Sequence, residues 1–183
     1  MRKKLACCLV LGWLVLGLSR EVFAGSYKVE VLVFTQKMPN TEVFEQTTNT
    51  LKTPQQVIEI ATSNDPGQAT VAAEPLSGLS SAYEQLSHQE NYAVLIKTAW
   101  VQVVPDNQAI PAVHIQNADN TLNGYIALKA GGSLAMQVDV EYSQAVGENP
   151  KVYHVTEKQA VKPNEPHYFD HPTMGVITLV TPL

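Results

Sequence analysis

Past residue 8 the chain contains no cysteine, and past residue 20 it contains no arginine. Cys7 and Cys8 both lie in an N-terminal apolar stretch, so residues 25–183 can form no disulfide, use no thiolate nucleophile and build no cysteine metal site. The missing arginine removes the planar fork that binds carboxylates and phosphates bidentately. Of the twelve basic residues four precede residue 25, and of the seventeen acids only Glu21 does, which leaves eight lysines against sixteen acids. That net charge of −8 disfavours nucleic acid and anionic lipid surfaces, and leaves a glycan or a neutral to cationic protein face as compatible partners. Catalytic signatures are missing as well. There is no Gly-x-Ser-x-Gly elbow, no phosphate-cradling glycine loop and no His-Glu-x-x-His.

What is present begins with an export signal. Arg2, Lys3 and Lys4 precede an apolar run over residues 5–18, and Val22-Phe23-Ala24 offers a small-residue cleavage site. The run falls short of the roughly twenty residues that a membrane span requires. A signal peptide over residues 1–24, cleaved after Ala24, is expected. Lipidation is not, because the cysteines sit at the start of the run rather than after it. Residues 25–183 then form a single domain of ordinary size in the periplasm.

Residues 27–34 are apolar on both faces, with Tyr27, Val29, Val31 and Val33 on one and Leu32 and Phe34 on the other. This predicts a central strand, with Lys28 and Glu30 marking its end nearer solvent. Residues 35–76 turn to Thr, Asn, Gln and Pro, a long excursion expected to be partly mobile. Within it, Thr53-Pro54 can start a short helix through Ile60, and Asn64-Asp65-Pro66-Gly67 a turn. Leu79, Ala82, Tyr83 and Leu86 give one helical stripe, with Ser77 as N-cap. Strand patterns follow over residues 92–104, 113–116, 122–129, 134–142, 152–161 and 176–180. Gly131-Gly132 and residues 147–150 supply turn signals. The expectation is an α+β fold: an antiparallel, curved sheet with one short helix packed on a face and the excursion outside it.

Three side chains of metal-ligating type cluster in the closing stretch: His167, Asp170 and His171. Two histidines four apart on a helix could bind zinc, but Pro166 and Pro172 oppose a helix there, and in extended chain Asp170 and His171 point opposite ways. The competing reading is structural, with imidazoles and carboxylate satisfying turn backbone groups. No metal and no cofactor is expected. For a sugar ligand, Trp100 and Tyr92, with Tyr125, Tyr153 and Tyr168, could build an aromatic platform; the alternative is that Trp100 is core. The candidate ligand-binding residues are therefore Trp100, Tyr92, His167, Tyr168, Asp170 and His171.

The run His167-Tyr168-Phe169-Asp170-His171-Pro172, followed by Met174-Gly175-Val176, resembles the closing motif of the CsiV family of periplasmic proteins from γ-proteobacteria. Residues 27–34, residues 92–102 with Leu95 and Ala99-Trp100, and residues 122–128 with Gly124 are similar to that family in the same order. Family members tend to carry arginines before the closing motif, where this chain has Lys158-Gln159-Ala160-Val161-Lys162. The resemblance implies non-enzymatic peptidoglycan binding that supports cell-wall biogenesis and cell shape. It also implies as partners a class A penicillin-binding protein and its outer-membrane lipoprotein activator. Two other readings stay open: an envelope adaptor that contacts proteins through residues 35–76, and a zinc-dependent hydrolase using His167, Asp170 and His171.

Overall fold

The computed structural model describes residues 25–37, 51–61, 70–106, 108, 110–146 and 149–183. The expected signal peptide and the turn at residues 64–67 lie outside them, as do Gly147 and Glu148 of the turn at 147–150. In chain order the elements are β1 (Gly25–Gln36), β2 (Val57–Ala61), β3 (Thr70–Ala72), α1 (Ser80–Ser87), β4 (Tyr92–Val104), β5 (Ala112–Gln116), β6 (Leu122–Lys129), β7 (Ala135–Val146), β8 (Asn149–Ala160), β9 (Pro166–Asp170) and β10 (Met174–Pro182).

The fold is mostly β with one short helix, and the expected single sheet is in fact two. The smaller is antiparallel in the order β4-β1-β10-β9, and the larger runs β3-β2-β5-β6-β7-β8. β1 is central, paired with β10 from Tyr27 against Pro182 to Thr35 against Met174, and with β4 on its other side. Its apolar character on both faces follows from that position. Tyr27, Val29, Val31 and Val33 join Trp100, Val176 and Phe169 in one core cluster with Ile115, Ile126, Met136, Val138 and Val140 of the larger sheet. The two sheets therefore bury one face each against the other. On the outer face of the smaller sheet, Leu32 and Leu179 receive Leu79, with Ala82, Tyr83 and Leu86 of α1 packed around them. The helical stripe read from the sequence meets the sheet here.

Three local expectations need correction. Residues 57–61 are a strand, not a helix: β2 pairs in parallel with both β3 and β5, which makes the larger sheet mixed. The Val57, Ile58, Ile60 pattern suits either element, and sheet neighbours decide it. Ser77 does not cap α1. Leu79 occupies the N-cap position without a side-chain cap, and Ser77 instead donates its N–H and hydroxyl to Glu30. Glu30 is not at a solvent end either; it is only 1% exposed.

Candidate functional site

The closing stretch folds as an edge strand, and alternation along β9 divides its residues between two faces. Phe169 enters the core, fully buried, while Tyr168 and Asp170 face outward. His167 and His171, on the side of Phe169, are each engaged by local backbone. His167 Nε2 accepts from the Lys162 N–H at 2.8 Å, and His171 Nδ1 accepts from the Thr173 N–H at 3.2 Å. Burial holds His171 below the ordinary imidazole range, the nearby Asp170 carboxylate opposing and His154 adding to the effect. A neutral ring suits the acceptor role. Among the described residues no group of three or more His, Cys, Asp or Glu side chains is placed to hold a metal.

Tyr92, Tyr168 and Asp170 do come together. Register places Phe34 opposite Gly175, and Gly175 opposite Asp170. Tyr168 lies stacked on Phe34, ring centres 6.3 Å apart, and Tyr92 meets Phe34 edge-on at 5.5 Å. Gly175 makes this possible: a Cβ there would sit 2.6 Å from both Phe34 Cζ and Tyr168 Cε2. The aromatic side chains occupy the space that a larger residue would fill. Tyr168 donates its hydroxyl to Asp170 Oδ1 at 2.9 Å. Burial, then that hydrogen bond and the carboxylate's charge, push the phenol up to about 12, so it remains a neutral donor at any physiological pH. Tyr168 is still 45% exposed. Trp100 belongs to no such surface: it is fully buried, its Nε1–H donating to Gln102 Oε1.

A second concave surface lies on the outer face of the larger sheet, built from residues that no sequence pattern combines. Residues 51–56 cross this face as a strap before entering β2. The Leu51 N–H donates to Glu141 Oε2, the Tyr125 hydroxyl donates to Thr53 Oγ1, and the Ala112 N–H donates to the Gln56 carbonyl. Between strap and sheet runs a groove of about 350 Å³. Its floor is small, Ala112 and Ala127, its wall is Tyr125, and its rim carries the amides of Gln55, Gln56 and Gln137 with the carboxylate of Asp139. Asp139 is held by His154 Nε2 from β8. On the other side Tyr125 stacks on His114, whose Nδ1 lies 2.8 Å from Glu59 Oε2 and whose Nε2 lies 2.7 Å from Asn123 Oδ1. The outward alternation of β6 and β7 is a usable signal for Tyr125, Gln137 and Asp139; the strap has none, since Thr53-Pro54 within it signals a helix start.

Such a surface can bind and orient a polar chain. Flat aromatic faces take apolar faces of a ligand, and side-chain amides both donate and accept. A family profile described as "Peptidoglycan-binding protein, CsiV" matches residues 4–142. Neither a curated protein nor a solved structure matches the chain. The matched span contains the strap, β6 and the start of β7, and ends ahead of the closing motif. No helix among the described residues is long and apolar enough to cross a membrane.

Proposed function

The chain belongs to the CsiV family of peptidoglycan-binding proteins, and from that premise we propose that residues 25–183 act in the periplasm as one domain that holds wall polymer without cleaving it. The observation that carries this reading beyond the family name is the strap-walled groove. Amides, one tyrosine ring and a small apolar floor converge there, which is the chemistry of holding a polar ligand in place. Among the described residues Asp139 is the one carboxylate on the groove's rim, and it is paired with His154, whereas a hydrolytic pair would need two carboxyls facing each other across the ligand. In this reading, support of a class A penicillin-binding protein and its lipoprotein activator follows from tethering at the wall.

The exposed patch of Tyr92, Tyr168 and Asp170 is the competing contact surface, favoured by the 45% exposure of Tyr168 beside an acceptor carboxylate. Co-sedimentation with purified sacculi separates the two. Ala127→Trp fills the groove floor, and Tyr168→Ala removes the patch; each variant is first checked for a cooperative melt. Ala127→Trp is expected to weaken sedimentation at least tenfold, with Tyr168→Ala close to wild type. The reverse pattern moves the site to the patch, and no sedimentation by the wild type ends the wall-binding reading.

A further inference from the structure

We infer that the groove recognises the peptide of the wall polymer rather than its sugars, gripping a short extended peptide with a free amine at one end and a carboxylate at the other. The inference rests on the wall-binding reading and names the part of the polymer that this site takes.

The argument comes from how charge is laid along the sheet. The groove beside the strap continues into a second hollow of about 170 Å³, and the two share Ile110, Ala127 and Gln137. At one end stands Asp139. At the other stand Lys129 and Lys158, both exposed, and neither enters an ion pair among the described residues. Strand register fixes their separation. Lys158 lies opposite Gln137 and Lys129 opposite Ala135, two and four residues along β7 from Asp139. At about 3.3 Å per residue those offsets are about 7 and 13 Å, the span of two to four residues of extended peptide. A polysaccharide of uncharged rings has no use for a surface with opposite charges at its two ends. A peptide with an amine and a carboxylate does, and the Gln55, Gln56 and Gln137 amides between the poles match its backbone groups. This polarity matters because the chain as a whole is strongly acidic: two of its eight lysines past residue 25 line one hollow, from the strands on either side of β7. Two lysines give point charges rather than forks, so they suit a carboxylate whose position along the groove varies by an ångström or two.

The test uses residues 25–183 and three defined probes in calorimetric titration: a synthetic alanyl-glutamyl-diaminopimelyl-alanine stem peptide acylated at its N-terminus as it is in the polymer, the same peptide acetylated also on its side-chain amine, and the peptide-free disaccharide of the wall. The stem peptide is expected to bind and the disaccharide not. Acetylation should weaken binding at least tenfold in the wild type but hardly at all in Asp139→Asn. Lys129→Glu with Lys158→Glu should abolish binding of the unmodified peptide while sparing the thermal melt. Tighter binding of the disaccharide, or indifference to acetylation, overturns the assignment. Peptide-free glycan strands, released in soluble form from sacculi by an amidase and used to compete with sacculus sedimentation, separate the two levels of inference. If they compete as well as the stem peptide does, peptide recognition is wrong and wall binding stands; if the protein sediments with no sacculi and binds no probe, both fall.

Discussion

A carboxylate in the middle of a sheet strand ordinarily faces water, and Glu30 does not. It is 1% exposed and sits where α1 begins. Its two oxygens accept from the N–H groups of Ser77, Gly78 and Leu79 at 2.9, 3.1 and 3.0 Å and from the Ser77 hydroxyl at 2.8 Å, with Lys28 Nζ at 3.7 Å. The donors are the backbone amides of the turn that leads into α1, up to its N-cap residue Leu79, so the strand carboxylate fixes the turn from which the helix starts. Burial pushes this carboxyl up, but the amide and hydroxyl bonds outweigh burial and hold it below the ordinary carboxylate range. The sign of the pH effect follows. A folded-state pKa below the unfolded one stabilises the fold fully above the unfolded value of about 4.3, and that contribution is lost as pH falls through the folded value. Glu30→Gln is expected to cost roughly 3 kcal/mol at pH 7, since an amide can neither carry the charge nor present two acceptors. It should also flatten the acid limb of stability, downward from the unfolded carboxylate value of about 4.3. Urea melts of the two proteins across that range check it; an unchanged slope in the variant would mean that Glu30 is not the titrating group.

The helix α1 spans eight residues, too few to persist in water by itself. It stays in place through the Glu30 clamp and through Leu79, which reaches Leu32 and Leu179 and is 1% exposed. Leu79→Ala is therefore expected to cost about 2–4 kcal/mol, concentrated in the helix. Amide exchange should accelerate over residues 80–88, while the sandwich core around Trp100 keeps its protection. Uniform loss across both regions would instead show that the helix and the sandwich unfold as one unit. Elements differ in how well the sequence displayed them. The 92–104 and 122–129 strands carry their own alternation and match β4 and β6 residue for residue. The β2 strand could not be read that way, because what makes it a strand is parallel pairing with residues 70–72 and 112–114, and parallel partners leave no turn signal nearby. Local pattern misplaces Glu30 for a similar reason. Its burial is caused by a helix that begins nearly fifty residues later, and no local pattern encodes that. Tyr92 and Tyr168 were nameable as aromatic candidates, but their meeting over Gly175 depends on the register of four strands. The groove was the least legible: its floor and outer wall alternate visibly along β6 and β7, and its strap has no periodicity at all.

At the scale of the whole molecule, charge decides how the protein approaches its polymer. Residues 25–183 carry eight lysines and sixteen acids, and wall polymer is itself rich in carboxylates, so the long-range interaction between them is repulsive. The contacts proposed in the groove act over a few ångströms between fixed partners, Asp139 at one end and Lys129 with Lys158 at the other. Salt distinguishes the two ranges, since raising it from about 0.01 M to about 0.15 M shortens the screening length from about 30 Å to about 8 Å. That change removes most of the repulsion between separated charges and little of the attraction between touching ones. Sedimentation with sacculi is therefore expected to hold or to rise over this interval, opposite to the steep fall shown by a basic protein that binds a polyanion through released counterions. A binding isotherm at four salt concentrations measures the slope. A tenfold loss of affinity between the extremes would show that exposed lysines carry the interaction through their net charge, and that the groove's geometry contributes little to it.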